Sequence, residues 1–163
     1  MLDRLDAASR RLSGAVAVGA GLVLLAVALS TTLDVLLRYL AGMPMRGHAE
    51  LASLSTAIAV AAFFPALVSQ RGNVTIKLVG QWLGRSADRW LNLFGSLCLL
   101  GFIAILAWQL VLYAVSMAEG GEVTPYLRLP VAPAWWAVVG SIAAALVAAL
   151  VATLQDVAAT WSR

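Results

Sequence analysis

Four runs of this chain contain no Asp, Glu, Lys, Arg or His: Leu12 to Leu33, Leu51 to Gln70, Trp90 to Ala118 and Leu129 to Gln155, or 22, 20, 29 and 27 residues. A helix needs about 20 mainly apolar residues to cross the hydrocarbon core, so each run is long enough. The two longer runs have to tilt, kink or extend into the interface. Composition closes the soluble alternative. Hydrophobic residues make up 62% of the 163 positions and charged ones 12%, about half the charged share of a soluble domain. A soluble fold of this size has too little interior to hide that much apolar surface. The chain therefore reads as one all-α integral membrane domain over residues 1–163, with spans at about 12–38, 51–70, 88–118 and 130–155. Arg10 and Arg11 precede the first run, and Ala26-Val27-Ala28 resembles a cleavage site. The run nevertheless exceeds the about 7–15 apolar residues of a cleaved leader, so an uncleaved first span is expected.

Between the second and third runs lies the one long polar interruption, Arg71 to Arg89. Placed on a helical wheel, Val74, Ile76, Leu78, Val79, Trp82 and Leu83 share one half, and Lys77, Gly80 and Gln81 the other. This pattern predicts a short amphipathic helix over 74–83 lying in the membrane plane and joining two hairpins. Asn73 can cap its start and Gly84 its end, and Ser86 can cap the third span. Orientation follows from the basic residues. Arg4, Arg10, Arg11, Arg71, Lys77, Arg85, Arg89 and Arg163 fall on one side, whereas only Arg38, Arg46 and Arg128 fall on the other. The positive-inside bias puts both termini and the in-plane helix on the cytoplasmic face, the latter against anionic headgroups.

Within the spans, small residues recur at helical spacing: Ala17 and Gly21 in the first, Ser53, Ala57 and Ala61 in the second, and Gly140, Ala144, Ala148 and Ala152 in the fourth. Such lines permit close helix approach where lipid removes the hydrophobic incentive. Pro65 is expected to kink the second span, since it removes a backbone donor. Trp90, Trp108, Trp135, Trp136 and Tyr113 stand toward span ends, where amphipathic rings belong. Asn92 and Gln109 read as polar contacts between helices.

Around Leu24, Ala59, Ile103 and Ala143, the span centres, no ionisable group is present. Proton and ion pathways are built from such groups, so a self-sufficient coupled pump is disfavoured. Cys98 is the sole cysteine and His48 the sole histidine. There is thus no disulfide framework, no CxxC pair and no pair of histidines for a haem. Met43, Met45 and His48 could be read as a soft metal site, but three ligands in one loop without a cysteine are weak grounds for one. No cofactor, metal or catalytic residue is assigned, and an enzyme is not expected.

The charges that remain gather at one end of the first hairpin. Asp34 and Arg38 stand four apart on one helical face in the favourable order. Glu50 opens the second span, where the helix dipole favours a carboxylate, and the connection from Leu40 to Ala49 can bring it back towards Arg38. These groups read either as interfacial charges that pair locally or as contacts to a neighbouring subunit. The loop from Glu119 to Pro130 (EGGEVTPYLRLP) has glycine and proline breakers at both ends and faces outward in this topology. It reads as a rigid turn or as a docking surface.

Three pieces of sequence carry a family resemblance. Val35-Leu36-Leu37-Arg38-Tyr39 leads through an elbow to Glu50-Leu51; Arg71-Gly72-Asn73-Val74 leads to Trp82-Leu83; and Gly121, Thr124-Pro125, Leu127 and Leu129-Pro130 precede the last span. In their order and spacing, from about Leu12 to Gln155, they resemble the small membrane subunit of tripartite ATP-independent periplasmic (TRAP) transporters, the dicarboxylate transporter Q subunit. Gly47, His48 and Ala49 depart from the family's usual tryptophan and acidic residues, as do Asn73 and Lys77 from its usual histidine and aspartate.

The resemblance implies an accessory subunit in the bacterial inner membrane, without catalytic chemistry. A large multi-span permease subunit moves the substrate, commonly an organic acid anion, using a sodium gradient. A periplasmic substrate-binding protein delivers it. Asp34, Arg38, Tyr39, Glu50 and Trp82 then become candidates for the subunit interface. Glu119, Glu122, Thr124, Pro125, Arg128 and Pro130 become candidates for a periplasmic docking loop. The competing reading is an autonomous four-span exporter of the multidrug-resistance kind, which calls for a carboxylate deep in the first span, whereas Asp34 stands near its end.

Overall fold

The computed structural model describes residues 2–43, 45–69 and 85–161. Among them the chain forms four helices: α1 Leu2–Ala41, α2 His48–Ser69, α3 Arg85–Glu119 and α4 Ala132–Trp161. All four contain segments long and apolar enough to cross a membrane: Gly14–Ala41, His48–Ser69, Trp90–Glu119 and Ala132–Ala158. The all-helical, four-span expectation is met. The expected in-plane helix over 74–83, its caps Asn73 and Gly84, and Trp82 lie outside the described residues.

The helix ends follow from local chemistry. Gly42 takes the left-handed conformation (φ 66°) that stops α1, and the Met43 N–H reaches back to the Leu37 carbonyl at 3.4 Å. Gly47, also left-handed (φ 79°), opens α2, its carbonyl accepting from the N–H groups of Glu50 (3.1 Å) and Leu51 (3.3 Å). α2 continues through Pro65. At the end of α3 the Gly120 N–H donates to the Ser116 carbonyl at 2.9 Å, and left-handed Gly121 turns the chain away. The Val131 carbonyl starts α4, accepting from Ala134 and Trp135, and Pro133 sits in the first turn, where its missing donor costs nothing.

The helices stand in a row. α1 packs on α2, α2 on α4, and α4 on α3, so α2 and α4 are central and α1 and α3 flank them. Val68 of α2, Ile103 of α3 and Ile142, Ala145 and Ala149 of α4 form the buried centre, with Phe64, Leu99, Leu106 and Leu146 against it. In lipid this centre is held by dispersion between interlocking side chains rather than by exclusion of water. The α3–α4 hairpin is also pinned by specific contacts. Near the loop joining them, Tyr113 and Trp135 meet edge to face with centroids 4.6 Å apart. Toward the far end the Ser96 hydroxyl donates to the Asp156 carboxylate. Thr153 is buried beside it, donating to the Ala149 carbonyl at 2.9 Å.

The small-residue lines divide. Gly21 of α1 faces α2, where a β-carbon placed on it would meet the Phe63 ring at an ordinary contact distance of 3.9 Å. Gly140 and Ala144 of α4 are instead exposed, because α4 turns Val138, Ile142, Ala145 and Ala149 toward its neighbours. With Val16, Ala62, Pro65, Ala137 and Ser141, they line an open groove of about 320 Å³. A second groove, of about 310 Å³, runs between α1 and α2 along Val16, Ala20, Val23, Ser55, Ile58, Ala59 and Ala62.

Candidate docking and assembly site

The elbow between α1 and α2 and the loop between α3 and α4 meet at one end of the helix row. Asp34 organises the elbow. It is buried, with 5% of its surface exposed, and both carboxylate oxygens are used. Oδ2 accepts from the Arg38 guanidinium at 2.8 Å, and Oδ1 accepts from the Met45 N–H at 2.7 Å. The first contact is the one the i, i+4 spacing predicts. The second folds the elbow back onto α1, since it satisfies a backbone donor eleven residues downstream. One turn lower on α1, Ser30 Oγ lies 3.0 Å from Nε2 of His48.

The Glu50 carboxylate accepts from two consecutive amides of the distant loop, Tyr126 N–H on Oε1 at 2.7 Å and Leu127 N–H on Oε2 at 3.0 Å. Two amides converging on one carboxylate make a charge-assisted clamp, stronger than a pair of neutral hydrogen bonds. A further contact sits beside it. Gly47 is buried, and a β-carbon placed there would stand 2.6 Å from Leu127 Cγ and within 3 Å of both its methyl carbons. The elbow thus holds the loop by charge at Glu50 and by close fit at Gly47.

The loop is knotted internally as well. Val123 and Pro130 form an antiparallel bridge. The Thr124 N–H donates to the Leu129 carbonyl at 2.9 Å, and the Thr124 hydroxyl oxygen accepts from the Leu129 N–H at 3.1 Å. Val131 donates to the Glu122 carbonyl at 3.0 Å, closing the base. Arg128 adopts φ 50°, a left-handed conformation that side chains disfavour, within the turn where its N–H donates to the Thr124 carbonyl.

Of the residues singled out for the loop, Glu119, Glu122, Pro125, Arg128 and Pro130 are exposed, whereas Thr124 is buried and shapes the turn. Exposed Tyr126 and Val123 join them on the surface. Of the residues singled out for the subunit interface, Asp34 and Glu50 are occupied within the chain and Tyr39 is 89% exposed. Ser30, Ser96 and Asp156 were not singled out from sequence, and Gly47 and Leu127 were named only in the family comparison, not as partners. Two readable signals existed: a glycine directly before a helix start, and a carboxylate following the last uncharged run by one residue.

A chain with four helices able to cross a membrane, and its polar groups bound up at their ends, is a multi-pass membrane protein. The family of tripartite ATP-independent periplasmic transporters, DctQ component, matches residues 27–159. The chain belongs to that family, and is the small membrane component of such a transporter. No curated protein and no solved structure matches it.

Proposed function

We propose that this chain is a non-transporting brace in a sodium-driven importer of organic acid anions, located in the bacterial inner membrane with both termini cytoplasmic. It packs against the large permease subunit and helps seat the periplasmic substrate-binding protein. The observation that carries the docking role is the Glu50 clamp, which holds the loop from 120 to 131 against α2 as a shaped surface. Asymmetry of the basic residues supports the orientation, since it puts this loop outside. The lack of ionisable groups at the span centres supports a structural rather than a transporting role. The two open grooves, lined mainly by small residues such as Ala20, Ser55, Ala62 and Gly140, suit close approach by helices of a membrane partner.

Reconstitution in liposomes tests this reading. Uptake should require the large subunit, this chain and the binding protein together. Transport by this chain alone would support the autonomous exporter and end the accessory reading. Gradients of sodium and of candidate organic acids, imposed one at a time, test the energy source and the substrate class.

A further inference from the structure

Four described residues stand in the left-handed region of backbone space, and three of them are glycines: Gly42 (φ 66°), Gly47 (φ 79°) and Gly121 (φ 59°). The fourth is Arg128, at φ 50°. The turn imposes that conformation. The Thr124 carbonyl accepts from the Arg128 N–H at 3.1 Å, while the Thr124 N–H and hydroxyl bond the Leu129 carbonyl and N–H. Glycine meets such a demand freely, whereas a β-carbon crowds the following carbonyl. The backbone thus favours glycine where the chain carries arginine. No contact within the fold accounts for the side chain: Arg128 is exposed, and among the described residues its guanidinium forms no ion pair or hydrogen bond.

A second cation stands beside it. Arg46, also exposed and without a partner among the described residues, directly precedes Gly47, and Arg128 directly follows Leu127. Gly47 and Leu127 are in contact, so the two arginines flank one joint. The other charges at this end are occupied or set apart. Asp34 holds Arg38, and the Tyr126 and Leu127 amides hold Glu50. Glu119 and Glu122 stand at the base of the loop, where α3 ends. We propose that Arg128 and Arg46 form a cationic contact for a carboxylate cluster on the periplasmic substrate-binding protein; this rests on the docking role proposed above. The planar fork of a guanidinium engages both oxygens of a carboxylate. A fixed backbone is of use only against a partner whose surface is fixed. Lipid phosphates are fluid, and an arginine on an unstrained backbone reaches them by snorkelling. A folded protein holds its carboxylates at set positions, so a preorganised cation fixes the register of docking.

The affinity of the binding protein for the complete membrane complex in lipid nanodiscs tests the contact. Arg128→Gly and Arg46→Gln should each weaken binding about two- to fivefold at low salt. The double variant should flatten the dependence of binding on ionic strength. In Arg128→Gly the turn itself should tighten, and exchange of the Leu129 amide should slow relative to the parent chain. Unchanged or faster exchange would show that arginine serves the turn, and would overturn the proposal. Unchanged binding in both single variants would overturn it too, and Glu50→Ala, which frees the loop, then separates two cases. Weaker binding in Glu50→Ala would remove the arginine contact and leave the docking role standing, whereas unchanged binding would remove both. Loss of phospholipid from the purified variant complexes, with affinity for the binding protein unaltered, would assign the guanidinium groups to lipid headgroups and overturn the contact.

Discussion

Leu127 occupies the space in which any β-carbon at position 47 would stand, with its Cγ 2.6 Å from that point. Two connections far apart in the chain are therefore fitted together at a glycine. Replacing Gly47 with Ala brings two separable penalties. One is the collision with Leu127, and the other is the left-handed backbone at φ 79°, which costs about 1–2 kcal/mol for a residue with a side chain. Gly47→Ala should lower thermal stability in lipid nanodiscs. Combining it with Leu127→Ala should recover the collision but not the backbone cost, so the double variant should be more stable than additivity of the two single changes requires.

Glu50 joins the same two connections by charge. Glu50→Ala leaves the Tyr126 and Leu127 amides without their carboxylate. Because these amides are solvent-accessible, water replaces part of the loss, and the cost should stay local to the loop. Amide exchange at 126 and 127 should rise while exchange in the centre of α4 stays constant. If the loop is the docking surface, substrate uptake by the full transporter should fall more than the yield of the membrane complex. Unchanged exchange at both amides would mean that the clamp contributes nothing.

Asp34 and Arg38 form an ion pair whose two members are not equivalent. Asp34→Ala strands the Met45 N–H and the guanidinium together, whereas Arg38→Ala removes one exposed partner. The expected order is a loss of about 1–3 kcal/mol for Asp34→Ala and under about 1 kcal/mol for Arg38→Ala. Thermal unfolding of the two variants side by side checks it, and equal losses would contradict the central role of the Met45 contact.

At the far end of the α3–α4 hairpin, Ser96→Ala removes the donor to Asp156. Hydrogen bonds between membrane helices average about 0.6 kcal/mol, so a loss near that size is expected. A double-mutant cycle with Asp156→Asn should show a coupling energy of the same order. A cycle with zero coupling would show that the Ser96–Asp156 contact does not help to hold the hairpin.

The four spans were legible because each run offers enough apolar length to cross the membrane and composition leaves no soluble alternative. The Asp34–Arg38 pair was legible because helical spacing is local and repeats. The contacts of Glu50 were not legible for the complementary reason: its partners are backbone amides 76 and 77 residues away, and amides leave no trace in side-chain identity. The Gly140–Ala144 line was legible as a pattern but not in its direction. Which stripe of an alanine-rich helix turns inward depends on where bulky neighbours such as Ile103 and Val68 sit, and periodicity alone does not rank the stripes. Gly47 was readable as a glycine directly before a helix start, but its need for a bare α-carbon was not, since that arises from Leu127.

Because Glu50 grips the loop through main-chain hydrogens, its hold is blind to the side chains it displays. Leu127 is tied to its size by the glycine beneath it, but the neighbouring Tyr126 is anchored by its amide while its ring projects into the open. Position 126 can therefore change in charge, bulk or polarity without loosening the joint. A surface built this way can track a changing partner over evolutionary time while the joint beneath it stays as it is.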